Sequence, residues 1–135
     1  MRAVRCGGNR RAQRRVRRDD VSVWSAWDGT VLAGCGALRE LSPTHGEVKS
    51  MRTAPRFAGR GIGRQLLEHI AEVATERGYR RLSLETGTTE AFIPAMRLYQ
   101  SAGFVETGPF GEYVENDFSR FFTVSLSPPS TREQR

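Results

Sequence analysis

The sequence predicts a layered α/β domain, and three observations predict it. Two strand-like runs, Val21 to Trp27 and Val31 to Leu38, are joined by Asp28-Gly29. Apolar residues at helical spacing fill Gly61 to Arg77. Strand-like and helix-like segments then alternate as far as Leu126, the pattern of helices laid on a sheet.

The first element pair is a hairpin, because Asp-Gly between two such runs supplies a residue that accepts positive φ at no steric cost. Trp24 and Trp27 are an odd number apart, so they face opposite sides of a regular strand, and both are expected in a core. Glu47 to Thr53 forms the next strand, which Ala54-Pro55 ends. In the helix that follows, Ile62, Leu66, Ile70 and Val73 share one face, and Gly78 supplies the stop. Arg81 to Thr86 is a short strand. A second helix runs from about Phe92 to Ser101, with Pro94 tolerated in its first turn and Gly103 at its end. Phe104 to Glu106 starts another short strand, a glycine-bearing polar loop covers Gly108 to Asp117, and Ser119 to Leu126 is the last strand.

At 135 residues the chain has the length of one domain with a real core. Its apolar stretches are strand-length, short of the roughly 18 residues that a membrane span requires, so no membrane partner is expected. The net charge of +6 is concentrated at the front. Residues 1–18 hold eight arginines and no acid, which leaves thirteen basic against fifteen acidic residues beyond them. Residues 1–20 are too charged and too poor in apolar side chains to offset the entropy of ordering, so a disordered segment is expected. Three readings of it stay open: an arm for nucleic acid or another acidic partner, an organellar presequence, or a start that is no evolved part of the domain. The domain proper is expected over residues 21–126, with a disordered tail over 127–135. Cys6 and Cys35 stand alone, without CxxC spacing or a secretory h-region, which fits a reducing cytoplasm. His45 in a loop and His69 in the helix make no metal constellation with them.

The chemistry-bearing stretch is Met51-Arg-Thr-Ala-Pro-Arg-Phe-Ala-Gly-Arg-Gly-Ile-Gly-Arg-Gln-Leu-Leu67, a strand, a glycine-rich turn and a helix start. Unpaired N–H groups and a partial positive charge at a helix start, with glycines that let a phosphate approach, make an anion cradle. It lacks the Gly-Lys-Ser/Thr ending of a P-loop and the G-x-G-x-x-G of a dinucleotide fold.

Here the sequence resembles the GNAT superfamily of N-acetyltransferases. Ala58-Gly-Arg-Gly-Ile-Gly63 falls on that family's pyrophosphate loop, and Ala95-Met-Arg-Leu-Tyr99 with Ser101-Ala-Gly-Phe104 on its A-x-x-L-Y-x-x-x-G-F signature. Lys49 to Thr53, Leu82 to Gly87 and Gly108 to Tyr113 are similar to a small bacterial subgroup. The resemblance implies a mixed, mostly antiparallel sheet with splayed central strands and helices on its faces. It implies acetyl-coenzyme A as co-substrate, no metal, and transfer of an acetyl group to a primary amine of a small molecule or amino acid by direct attack.

Residue by residue, it implies that Gly59, Arg60, Gly61, Ile62, Gly63 and Arg64 hold the pyrophosphate. Met51, Arg52 and Thr53 lie along the pantetheine arm. Tyr99 is the general acid for the departing thiolate, since a phenol near pKa 10 stays protonated at neutral pH. Glu47 aligns with the base of some members, with a solvated strand-end carboxylate as its other reading, and Glu85 is the alternative base. Glu85, Glu112 and Tyr113 are candidate acceptor-wall residues.

Ala58 replaces the usual Arg or Gln and Phe92 the usual Asn, so two side-chain contacts to coenzyme A are expected to be missing. The resemblance also starts after the first strand and two helices common in the family, so the front is expected to be incomplete through truncation or a wrong start. The first strand then becomes an unprotected sheet edge. Two rivals follow: a catalytically inactive coenzyme A-binding fragment that dimerises through that edge, and a nucleic-acid-binding protein acting through the arginine arm.

Overall fold

The computed structural model describes residues 21–127; the expectations for residues 1–20 and for the tail beyond 127 lie outside them. Six strands, β1 (Val21–Asp28), β2 (Val31–Ser42), β3 (His45–Thr53), β4 (Arg81–Gly87), β5 (Val105–Thr107) and β6 (Ser119–Ser125), form one sheet in the order β1-β2-β3-β4-β6-β5. Only β3 and β4 pair in parallel; all the other pairs are antiparallel. Helix α1 (Ile62–Glu76) is the crossover between those two parallel strands, and α2 (Ile93–Ser101) connects β4 to β5.

The β1–β2 hairpin closes at Asp28 and Val31, so its two-residue loop is Gly29-Thr30. Gly29 has φ of 64° and Thr30 does not share that sign, the signature of a II′ turn with glycine at the first central position. The turn is one residue later than Asp-Gly alone suggests.

Helix α1 lays Ile62, Leu66, Leu67, Ile70 and Ala74 against β1–β3, where Trp24, Ala26, Ala33, Leu38 and Val48 complete the core. Trp24 is fully buried there, its ring edge-on to His69. Trp27 is not part of that core. A register shift at Ala26/Trp27 leaves it half-buried, and its indole N–H donates to Ser25 Oγ at 2.8 Å.

Two irregularities shape the centre of the sheet. Pairing between β3 and β4 runs from His45↔Arg81 to Val48↔Leu84 and stops, although β3 continues to Thr53 and β4 to Gly87. Beyond Val48 the strands splay, and β4 stays in register with β6 as far as Gly87↔Ser119. On its other side β3 carries a bulge: Cys35 pairs Arg52 but Ala37 pairs Lys49, and Ser50 takes a left-handed φ of 56°. Few non-glycine residues adopt that conformation, and an extra residue in one strand bends it. Met51 is turned toward the helix layer, its Sδ lying over Gly36, where any Cβ would stand 2.6 Å from it.

Candidate active site

The site grows out of the splay. Backbone groups on the β4-facing edge of residues 49–53 have lost their strand partner, and that open edge is a template for an added strand. Around it lie two cavities with shared walls. One, of about 770 Å³, lies between the parting strands and is lined by Glu47, Lys49, Glu85, Phe92, Tyr113 and Phe118, among others. The other, of about 570 Å³, opens onto the glycine turn and is lined by Phe57, Gly59, Gly61, Ile62, Gly63 and Arg64, among others. Met51, Arg52, Ala95 and Tyr99 line both; Thr53 lines the second.

The glycine turn leaves the start of α1 open. Gly61 caps α1 with φ of 83° and no side-chain cap, so the first-turn N–H groups are left to a ligand. Nothing lies within 4 Å of a Cβ built on Gly61, so the space in front of the helix start is open. Gly63 serves packing: a Cβ there would stand 2.9 Å from Leu98 Cδ2 of α2. Arg64 reaches across to Ser101 Oγ at 2.6 Å and ties the two helices together. Arg60 is not in the cavity wall; its guanidinium lies 5.4 Å over the Phe57 ring.

Tyr99 arrives from α2 and is buried, 7% exposed, with its ring 5.9 Å from Phe104. Burial pushes its phenol above the usual value, because a phenolate would be poorly solvated there. It sits where the two cavities meet.

Glu47 is not a solvated strand-end carboxylate. It is 1% exposed, on the last turn of pairing before the splay, opposite Arg39 on β2 and Ser83 on β4. Its Oε2 accepts a hydrogen bond from the Tyr113 hydroxyl at 2.6 Å and lies 3.6 Å from Lys49 Nζ. Its Oε1 is buried without a hydrogen-bond partner among the described residues. A buried carboxylate oxygen left in that state is costly unless a ligand or a proton uses it.

The other predicted residues divide. Glu85 lines the cavity between the strands and accepts from Ser119 Oγ. Tyr113 lines that cavity and also a third hollow of about 490 Å³, which it shares with Arg39, Glu40, Glu47 and Glu112. Glu112 therefore faces the third hollow and not the cavity that holds Tyr99. His45 is the first residue of β3 and not a loop residue, and its Nε2 lies 2.7 Å from Ser83 Oγ.

Sequence reasoning missed two wall residues. Phe92, noted only as a missing Asn, packs against Gly87, where a Cβ would meet its ring at 2.4 Å, and lines the cavity between the strands. Phe118, 79% exposed, stands at the same cavity. An aromatic placed directly after a polar loop, in Asn116-Asp117-Phe118, was the available signal. Among the described residues no group of three His, Cys, Asp or Glu could hold a metal ion, and no helix is long and apolar enough to cross a membrane.

Comparison with known proteins agrees with this geometry. Residues 5–104 match the sequence profile of the acetyltransferase (GNAT) family. The uncharacterized N-acetyltransferase YsnE of Bacillus subtilis is 50% identical over 112 residues, which are 83% of this chain and 74% of that one. A Klebsiella pneumoniae structure described as an acyl-CoA N-acyltransferase superposes with a TM-score of 0.74 at 27% identity, covering 80% of this chain and 74% of that one. A GNAT family acetyltransferase from Elizabethkingia anophelis, solved with acetyl-CoA bound, shares the fold with a TM-score of 0.68 at 23% identity, over 79% and 77% of the two chains. The chain belongs to the GNAT acetyltransferase family and is an acyltransferase.

Proposed function

We propose that the chain transfers an acetyl group from acetyl-coenzyme A to a primary amine of a small molecule or amino acid, by direct attack within a ternary complex. The observation that carries this reading is the pair of adjoining cavities, one at a helix start suited to phosphate and one at a buried carboxylate, with Tyr99 at their junction. Acetyl-coenzyme A would supply the activated acyl group.

In this reading the N–H groups of Gly61 to Arg64 receive the pyrophosphate, and the free edge of Met51 to Thr53 pairs with the pantetheine arm as an extra strand would. Glu47 takes a proton from the acceptor ammonium, directly or through water, because only the neutral amine attacks. The nitrogen–carbon bond forms as the carbon–sulfur bond breaks, and Tyr99 gives its proton to the leaving thiolate. The second nitrogen proton and the one held by Glu47 pass to solvent, from which Tyr99 takes the proton that restores it. Glu85 and Tyr113 stand at the acceptor side, and Glu112 is set back in the third hollow.

Calorimetric titration with acetyl-coenzyme A tests the cradle. Gly61→Glu puts a carboxylate into the open space before the helix and is expected to abolish binding while far-UV circular dichroism stays unchanged. Thiol release with tyramine, ethanolamine, glycine and lysine as acceptors then tests transfer, and Glu47→Gln is expected to remove turnover while coenzyme binding stays intact. Binding that survives Gly61→Glu at full strength refutes the cradle.

A further inference from the structure

We infer that Tyr113 is a positioning residue, which holds one oxygen of Glu47 and thereby presents the other for proton transfer. The inference rests on Glu47 being the base. The geometry is asymmetric at the two carboxylate oxygens. Oε2 receives the Tyr113 hydroxyl at 2.6 Å and has Lys49 Nζ 3.6 Å away, whereas Oε1 is buried and without a partner among the described residues. A carboxylate with one oxygen held by a phenol hydroxyl and facing an ammonium keeps its second oxygen as the place for an incoming proton. The single hydroxyl proton of Tyr113 is committed to Glu47, so Tyr113 does not donate to an acceptor molecule as well.

The loop that brings Tyr113 is built to hold it in place. Residues Phe110 to Tyr113 form a tight turn closed by Tyr113 N–H on the Phe110 carbonyl at 3.0 Å, with Gly111 at φ of 59°. Phe110 packs edge-on against Phe121 of β6 at 5.8 Å and faces His45 at 6.0 Å, while the Tyr113 ring lies 5.5 Å from Phe121. With the edge-on Phe110–Tyr113 pair at 5.1 Å, four aromatic contacts fix a phenol on a loop that is mostly exposed. Tyr113 and Glu47 together form the wall shared by the cavity that contains Tyr99 and the third hollow. Its phenol is pushed far above the ordinary value by burial, then by the bond to Glu47, so it remains a donor throughout the working pH range.

The groups that face this pair come from every neighbouring element. His45 and Lys49 lie on the same strand, Arg39 opposite on β2, and Ser83 opposite on β4. Glu85 of β4 acts on Tyr113 through its charge, and Glu40 and Glu112 share the third hollow. Against that background Tyr113→Phe removes one donor and keeps the ring. A donated hydrogen bond fixes the carboxylate that receives it, so its loss is expected to slow proton transfer at Glu47 while the ring still fills its place.

The experiment is thiol release by the full chain with the four amines named above, followed as kcat and KM for Tyr113→Phe, Glu47→Gln and the double variant. In Tyr113→Phe kcat is expected to fall by about tenfold or more, because the base has lost the contact that orients it. In the Glu47→Gln background the same change is expected to leave the residual turnover as it is, because Tyr113 acts only through Glu47, and acetyl-coenzyme A affinity stays unchanged throughout. Unchanged kcat in Tyr113→Phe overturns the role of Tyr113, even if Glu47→Gln is inactive. Full turnover in Glu47→Gln removes the base itself and this inference with it, so the two failures are told apart.

Discussion

At Tyr99 a buried phenol meets the junction of two cavities, and burial keeps it protonated beyond its ordinary range. Tyr99→Phe is therefore expected to lower kcat for thiol release by about 10²-fold or more, the usual weight of a positioned acid, with coenzyme affinity by calorimetry unchanged. Retained turnover would reduce Tyr99 to a packing partner of Phe104. This residue was legible in the sequence because it is embedded in a motif with fixed neighbours. Glu47 was legible only by position: counting back from the glycine turn finds it, but its burial could not be read. That burial depends on Tyr113, 66 residues away, and on the neighbouring strands, and no local pattern encodes such company.

Among the elements, α1 was the easiest to read, since its apolar face repeats at helical spacing and glycines stand at both ends. The Ser50 bulge and the parting of β3 from β4 were not readable from periodicity: a bulge is one extra residue in a register set by the partner strand, and only the family resemblance implied the splay. Gly34 shows how closely α1 sits on the bulged side. A Cβ there would stand 2.7 Å from the carbonyl oxygen of Arg52 and 2.8 Å from Ile62 Cγ2. The first neighbour is backbone and cannot swing away. Gly34→Ala is expected to cost about 1–3 kcal/mol, as overpacked core sites do, and to weaken coenzyme binding by shifting both the open strand edge and the helix start. Thermal unfolding with calorimetry on the same sample checks this. A melting temperature equal to that of the parent would show that β2 and α1 can part at no cost. Gly61→Ala is the contrasting case, because its Cβ meets open space and its cost is confined to the left-handed backbone, about 1–2 kcal/mol.

Over the whole molecule, the sequence contains three tyrosines, and each is held above its ordinary titration range. Burial comes first in all three; Tyr79 also donates to Glu40 Oε1 at 2.7 Å and Tyr113 to Glu47. All three are therefore protonated in the folded state at a pH where an unfolded chain begins to lose their protons. A group whose folded value lies above its unfolded one contributes stability that is fully present below the unfolded value, about 10 for tyrosine. As pH rises past that point the unfolded chain binds fewer protons than the folded one, so stability falls. The expected outcome is a denaturation midpoint insensitive to tyrosine ionisation up to about pH 9 and a decline that begins near pH 10. Phenolate absorbance near 295 nm should then appear together with loss of far-UV circular dichroism rather than before it. Phenolate absorbance that rises near pH 10 while the fold persists would mean that these hydroxyls reach solvent in the folded protein. The Tyr113 bond that orders the Glu47 carboxylate would then be a transient contact, unable to position it.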